Sequence, residues 1–159
     1  MANNRGKQFE NVIKEAFEKV SNTSVVRLHD QTTGYIGSSN HCDFIIYHKP
    51  NELHIECKSV HGNTFAFSNI TDTQYIGLLE KSKIEGVIAG VIVWWVDKDR
   101  TLYLPIQTIH GMKKVGLKSV RYDCLDGFDG HTGIINIEGK KKRVFFEYDM
   151  EKFLREVRL

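Results

Sequence analysis

The sequence predicts an α/β fold in which helices flank a mixed sheet. Two patterns carry this prediction. Apolar residues recur at helical spacing between Phe9 and Val20, which gives one apolar helix face. Residues 86–96 form a continuous apolar run rich in valine and isoleucine, which is typical of a buried central strand. Because further helix and strand patterns lie between and after these two, we expect helices to pack on a sheet.

The elements are predicted by periodicity and by capping and turn residues. Thr71-Asp72-Thr73-Gln74 fits a capping box, and Pro105 suits the start of a helix. Residues 116–139, with many glycines and aspartates, predict no defined element. The predicted helices cover 9–20, 71–84, 105–114 and 150–157, and the predicted strands cover 24–28, 42–47, 53–58, 86–96, 100–104 and 144–146.

The composition is that of an ordinary folded domain. The chain has 159 residues, of which 41% are hydrophobic and 26% are charged, with a formal net charge of +2. These proportions exclude global disorder, and the length predicts one domain over residues 1–159. The odd number of cysteines excludes a disulfide framework, and neither an apolar leader nor a membrane-length apolar run is visible. We therefore expect a cytoplasmic protein.

A hairpin over residues 42–58 is predicted to bring two carboxylates together. Residues 48–51 contain proline and asparagine, which favour a turn. If these four residues form the loop, Tyr47 faces Glu52 and the ladder places Asp43 opposite Glu56. Opposed residues share a face, with Cβ atoms roughly 5 Å apart. A slip of one residue would separate the two carboxylates.

Such a pair of carboxylates predicts a metal site. Close carboxylates repel each other unless a cation compensates, and Mg²⁺ prefers oxygen ligands. Lys58 shares the face of Glu56 and could orient a water molecule or stabilise developing negative charge. The predicted chemistry is metal-assisted phosphodiester hydrolysis. The alternative is a cross-strand salt bridge, but the apolar flanking residues indicate buried strands, where unpaired charge is costly.

Asp43 followed by Glu56-Cys57-Lys58 resembles the signature of the PD-(D/E)XK nuclease superfamily. The resemblance is closest to the RecU-like Holliday junction resolvases, including phage-encoded members, and it covers the first two thirds of the chain. The other segments that support it are 4–10, 39–44, 56–59 and 65–70, the last followed by Gln74.

The resemblance implies a restriction-endonuclease-like mixed sheet with a helix-strand-strand-strand-helix-strand core. It also implies a structure-selective DNA endonuclease that depends on Mg²⁺, with Mn²⁺ as a substitute, and that resolves four-way junctions in recombination and repair. The implied enzyme is a homodimer in a bacterial cell or a phage-infected host. The long apolar strand and the C-terminal third are the candidates for its dimer interface. A restriction-type or nicking enzyme of the same fold, or a non-catalytic DNA-binding module, remains an alternative.

Site residues follow from the same resemblance. For Glu10 the alternative is a solvated carboxylate near the start of the helix, and for Gln74 it is a capping-box partner. The implied catalytic residues are Asp43, Glu56, Lys58, Glu10 and Gln74, the implied metal-site residues are Asp43, Glu56, Glu10 and Cys57, and the implied DNA-binding residues are Arg5, Lys7, Arg27, Tyr35 and Ser59.

Two DNA-contacting segments are less well defined. The basic run 140–143 either meets DNA or forms a solvated turn. The stretch 29–41 is shorter than the protruding insertion of the cellular resolvases, which leaves junction selectivity open.

Trp94 and Trp95 could stack on bases, although at least one is expected in the core.

Zinc is the competing metal. His41, Cys42, His54 and Cys57 lie close in the sequence. His54 and Cys57 would point to opposite faces of one strand, so four tetrahedral ligands would not converge. The sequence therefore predicts no zinc site, and we interpret the two cysteines as small buried residues.

Overall fold

The apolar face near the N-terminus produces a helix that begins earlier than predicted. This helix, α1, runs Asn3–Glu18 and buries Phe9, Ile13 and Phe17. It ends before Asn22, whose positive φ of 54° helps the chain to turn into the first strand. The structure is a computed structural model that describes residues 3–29, 40–127 and 132–158.

The remaining elements follow the predicted order closely. The helices after α1 are α2 (Asp72–Ser82), α3 (Ile106–Lys114) and α4 (Met150–Glu156). The strands are β1 (Thr23–Arg27), β2 (Phe44–His48), β3 (Asn51–Val60), β4 (Thr64–Ala66), β5 (Val87–Trp95), β6 (Arg100–Pro105), β7 (Ser119–Arg121), β8 (Ile135–Asn136), β9 (Gly139–Lys141) and β10 (Phe146–Tyr148).

The sheet is mixed, as predicted. Within the described residues its strand order is β1-β2-β3-β5-β6-β8. β3 and β5 are parallel, and the other neighbouring strands are antiparallel. The parallel pair needs a crossover connection, which contains α2. β5 therefore lies between β3 and β6 in the interior of the sheet.

Helices cover both faces of this sheet. Trp94 of β5 packs with residues of α1 and α4, whereas Trp95 packs with residues of α2 and α3. Both tryptophans are almost fully buried. Neither can stack on a base, and the long apolar strand is not available as a dimer interface, so these two possibilities are excluded.

The C-terminal third differs most from the prediction. The strand predicted over residues 144–146 is shifted and begins at Phe146, because the Lys142 amide bonds to the Phe145 carbonyl and closes a turn. Val144 is exposed beside this turn. The segment predicted to lack defined elements contains β7 and β8, and β7 pairs with β4 in a small second sheet. These strands have two or three residues each, too few for a periodic pattern to show.

A glycine pair tests the packing of the sheet. We expect Gly90→Ala in β5 to destabilise the fold by about 1–3 kcal/mol, because overpacking forces neighbouring atoms to move. The added Cβ would lie 2.5 Å from the Leu104 carbonyl oxygen and 2.5 Å from the Tyr103 ring. Urea unfolding measures the change.

The matched control is Gly111→Ala. A Cβ there meets no atom within 4 Å and lies on the exposed side of α3. Alanine should leave stability unchanged or raise it by up to about 1 kcal/mol, since glycine is a poor helix former. Equal effects of the two substitutions would contradict this account of the packing.

Candidate active site and metal centre

The β2–β3 hairpin has the predicted register. Tyr47 pairs with Glu52 and Phe44 pairs with Ile55. Asp43 lies immediately before β2, and its amide donates to the Ile55 carbonyl at 3.0 Å. The same register places Asp43 beside Glu56, and the two carboxyl groups are close enough to shift each other's pKa.

Glu56 is held by two polar neighbours in a buried setting. Its side chain is only 5% exposed. The Lys58 Nζ atom lies 3.2 Å from Glu56 Oε1, and Gln74 Nε2 donates to the same oxygen at 2.9 Å. On the other carboxylate, Asp43 Oδ2 accepts a hydrogen bond of 2.8 Å from the backbone amide of Cys57. Each carboxyl group is therefore fixed by the chain.

The electrostatics of this pair favour uptake of a cation. Burial, followed by the charge of Asp43, raises the pKa of Glu56 from its usual 4.5 to about 8. Burial also raises the pKa of Asp43, although the Cys57 amide and the Lys58 charge oppose that shift. Lys58 does not compensate both carboxylates, so a proton stays on the pair near neutral pH. A divalent ion could replace that proton.

The donor set fits a hard metal ion. Asp43 and Glu56 offer carboxylate oxygens, which suit Mg²⁺ and Mn²⁺. The Cys57 side chain lies in the core on the α1 side of the sheet. Its sulfur therefore points away from the carboxylates and does not join their donor set. Only the main chain of Cys57 lies at the carboxylate face, where its amide holds Asp43.

Glu10 and Arg27 form an ion pair beside this centre. Arg27 Nη2 lies 2.6 Å from Glu10 Oε2, and Nη1 donates to Asn11 Oδ1 at 2.8 Å. Burial raises the pKa of both Asp43 and Cys57; the charge of Arg27 opposes this shift at Asp43, and the charge of Glu10 adds to it at Cys57. Both charges thus act on the site. In this arrangement Arg27 is bound to α1 rather than turned towards solvent.

Gln74 combines the two roles predicted for it. Its Oε1 atom accepts a hydrogen bond of 3.0 Å from the backbone amide of Thr71, and the backbone amide of Gln74 donates to Thr71 Oγ1 at 3.2 Å. These bonds complete the predicted capping box of α2. The Nε2 group remains to bind Glu56. The capping box of α2 therefore orients the side chain that donates a hydrogen bond to Glu56.

The predicted DNA-contacting residues are dispersed. Arg5 and Lys7 are exposed on α1, and Ser59 is half-buried near the end of β3. Tyr35 lies outside the described residues. In the basic run 140–143, Lys141 and Lys142 form exposed ion pairs with Asp99 and Glu147, at 2.6 and 3.3 Å respectively.

The residues considered for zinc form a group of three rather than four. Ligand atoms of His41, Cys42 and His54 all lie within 4.8 Å of one another. Cys57 points to the other face, as the strand alternation predicted, so it does not join them. The four residues do not converge as one set, but three of them share a face. Continued along the strands, the predicted register would place Cys42 opposite Cys57, so it gave no signal for this grouping. The grouping arises because His41 and Cys42 lie before β2 and are not bound by strand alternation.

Comparison with known proteins identifies the family. The profile of the family described as RecU, Recombination protein U, matches residues 4–140. The chain belongs to the RecU family. RecU proteins are Holliday junction resolvases, so the chain is a metal-dependent endonuclease whose substrate is branched DNA. The resemblance inferred from the sequence is confirmed.

One solved structure illustrates the likeness. It is the 1.6 Å structure of Hjc from Archaeoglobus fulgidus, described as a Holliday junction resolvase from an archaeal hyperthermophile. The match has a TM-score of 0.48 and 18% sequence identity, and it covers 65% of this chain and 78% of that chain. The comparison with curated proteins gives no significant match. Among the described residues, no helix is long and apolar enough to cross a membrane.

The carboxylate pair predicts a pH-dependent stability. The folded chain keeps a proton on Glu56 up to pH about 8, whereas the unfolded chain loses it near 4.5. This contribution is fully present below pH 4.5 and disappears as pH rises through about 8. With EDTA present, we expect the unfolding free energy of the wild type to fall more steeply with pH in this window than that of Glu56→Gln. Urea titrations across the window measure both slopes, and equal slopes would rule out the buried proton.

Proposed function

We propose that the chain is a Mg²⁺-dependent, structure-selective endonuclease that resolves four-way junctions by phosphodiester hydrolysis, and that residues 1–159 form one nuclease domain. The observation that supports the catalytic assignment is the buried pair of Asp43 and Glu56, with Lys58 Nζ 3.2 Å from Glu56 Oε1. A salt bridge alone would leave one carboxylate uncompensated in the core, which is costly.

Asp43 and Glu56 would hold the metal. When bound, Mg²⁺ supplies Lewis-acid activation of the phosphate and of a water nucleophile. The Cys57 amide keeps Asp43 oriented, and Gln74 keeps Glu56 oriented. Glu10 would complete the acidic set from α1. In hydrolysis, water oxygen bonds to phosphorus, the bond to the leaving oxygen breaks, and that oxygen takes up a proton.

Lys58 would act on the reacting phosphate. Its ammonium group lies at the carboxylate face, where it can donate hydrogen bonds to a non-bridging oxygen or to the attacking water. The contact of 3.2 Å between Lys58 Nζ and Glu56 Oε1 thus holds the lysine close to its place of action.

DNA would be held mainly through its phosphates. Arg5 and Lys7 project from α1 into solvent, on the helix that also bears Glu10. Ser59 and Tyr35 would add contacts, and Arg27 would act by holding Glu10. Phosphate contacts are independent of sequence, which suits recognition of a DNA shape.

A homodimer matches the symmetry of the substrate. A four-way junction needs two paired cuts, and a two-fold dimer supplies two sites. With β5 buried in the interior, the C-terminal third remains as the candidate interface. Sedimentation of the protein alone and on a junction would show whether two copies assemble. Such a substrate is found where chromosomal or phage DNA recombines, in the cytoplasm of a bacterial or infected host cell.

Cleavage assays test the catalytic assignment. With labelled four-way junction and Mg²⁺, we expect Asp43→Asn, Glu56→Gln and Lys58→Ala each to lower the cleavage rate by at least about 100-fold, the usual effect of removing one transition-state contact. EDTA should abolish cleavage by the wild type. Lys83→Ala is the matched control, because Lys83 forms an exposed ion pair with Glu80 on α2.

Three outcomes would separate the alternatives. Paired nicks in the junction with no cutting of a matched linear duplex support the resolvase assignment. Equal cutting of both substrates would leave a nuclease of the restriction or nicking type. Junction binding without cutting in Mg²⁺ or Mn²⁺ would overturn the catalytic proposal.

The basic residues of α1 predict a change in salt dependence. Arg5→Ala and Lys7→Ala should each lower the slope of log affinity against log salt by about 0.9 for each DNA phosphate that the side chain neutralises. Binding to the junction, measured by fluorescence anisotropy in Ca²⁺ at several salt concentrations, gives the slope. An unchanged slope would place these residues away from the DNA, and Lys83→Ala again serves as the control.

A further inference from the structure

A second group of side chains with metal-ligating atoms lies close to the carboxylate pair, on β3 and on the residues just before β2. His41 Nε2 and His54 Nδ1 are 2.7 Å apart, and Cys42 Sγ lies 4.0 Å from His54 Nδ1. Cys42 and His54 are almost fully buried, and His41 is half-buried. Ligand atoms of all three lie within 4.8 Å of one another, so a single ion could reach them.

We propose that His41, Cys42 and His54 form a Zn²⁺ site that is separate from the nuclease centre. Two imidazole nitrogens and one thiolate sulfur are typical zinc ligands, whereas Mg²⁺ avoids such donors. A water molecule would fill the fourth position. Burial raises the pKa of the Cys42 thiol, and the bond to Zn²⁺ would offset this effect as the thiol proton is released to solvent.

The geometry needs only a small adjustment to accept the ion. Two nitrogens on one tetrahedral zinc lie about 3.3 Å apart, given Zn–N distances of about 2.0–2.1 Å. The two histidine nitrogens would therefore separate slightly and exchange their hydrogen bond for two metal bonds. The sulfur would move slightly closer to His54. Changes of this size lie within the reach of side-chain rotation.

A carboxylate already orients one of the ligands. His54 Nε2 lies 2.6 Å from Glu52 Oε1, so the second nitrogen of the ring donates to a carboxylate. This contact fixes the tautomer in which Nδ1 is free to bind a metal. In zinc sites, a histidine that binds the metal through one ring nitrogen commonly donates a hydrogen bond from the other ring nitrogen to a carboxylate.

Helix α2 and the nearby charged side chains also affect this group of three residues. Gly77 of α2 lies against His41, and an added Cβ at Gly77 would collide with the His41 side chain. Helix α2 thus holds His41 in place only because residue 77 has no side chain. The charges that face the group are mixed. Lys81 acts on His41, while Asp43 and Glu56 act on Cys42. Asp43 and Glu52 bring negative charge to the group, which offsets the positive charge of Lys81.

Cobalt substitution tests the proposal. The chelator-stripped protein, titrated with Co²⁺, should bind one equivalent with the near-ultraviolet sulfur-to-cobalt charge-transfer absorption of a thiolate ligand, and Zn²⁺ should displace it. Cys42→Ala should lose this absorption. Cys57→Ala and Cys124→Ala should keep it, since these thiols lie elsewhere. Asp43→Asn should also keep it, which separates this site from the nuclease centre.

A thermal measurement provides a second readout. One equivalent of Zn²⁺ should raise the melting temperature of the stripped wild type and of Cys57→Ala, with no rise in Cys42→Ala. Circular dichroism of each variant without metal shows whether it is folded. Absence of the charge-transfer band in the folded wild type, or its persistence in Cys42→Ala, would overturn the proposal, whatever the cleavage assays show.

Discussion

The pairing register of β2 with β3 is the constraint on which the candidate site depends. In this register Asp43 meets Glu56, and the alternation along β3 adds Glu52, His54 and Lys58 to the same face. A shift by one residue would turn all of these side chains into the α1-side core and turn Ile55 to the opposite face, among the polar groups. The apolar residues therefore fix the position of the polar ones. Burying Leu53 and Ile55 against α1 stabilises the only register that assembles the carboxylates.

That constraint has an electrostatic cost. Two carboxyl groups and a lysine in a buried setting cannot all be charged without a further partner, and the chain without metal responds by keeping a proton on Glu56. Neighbouring backbone and side-chain donors reduce the cost without removing it, since Gln74 and the Cys57 amide are both neutral. The fold thus retains an unfavourable burial of two carboxyl groups, and a divalent cation bound between them would offset this cost. A purely structural role for these residues does not explain why the penalty persists.

Local sequence patterns predicted most of the fold and the pairing of the two carboxylates at the site. The helical periodicity of α1, the capping box of α2 and the apolar run of β5 each specify an element through short-range sequence alone. The turn at residues 48–51 set the register from which the carboxylate pair followed. Interactions between distant segments were not predictable in the same way. The pairing of β4 with β7 joins three-residue strands far apart in the sequence, and the bond between Arg27 and Glu10 depends on how α1 packs on β1.

The position of the histidines shows why face assignment must be made for each residue separately. Along β3, His54 lies between Glu52 and Glu56, so one strand face presents nitrogen and oxygen donors in turn. Cys42 and Asp43, which lie just before β2, repeat this contrast. Soft and hard donors are therefore segregated into two adjacent groups, with sulfur and imidazole at one and carboxylate oxygen at the other. Because ligand type governs metal selection more strongly than proximity does, two neighbouring centres of this kind can hold different ions without exchanging them. The ion at the soft group would hold together His41 beside α2, Cys42 and His54, and so would brace the strands that position Asp43 and Glu56.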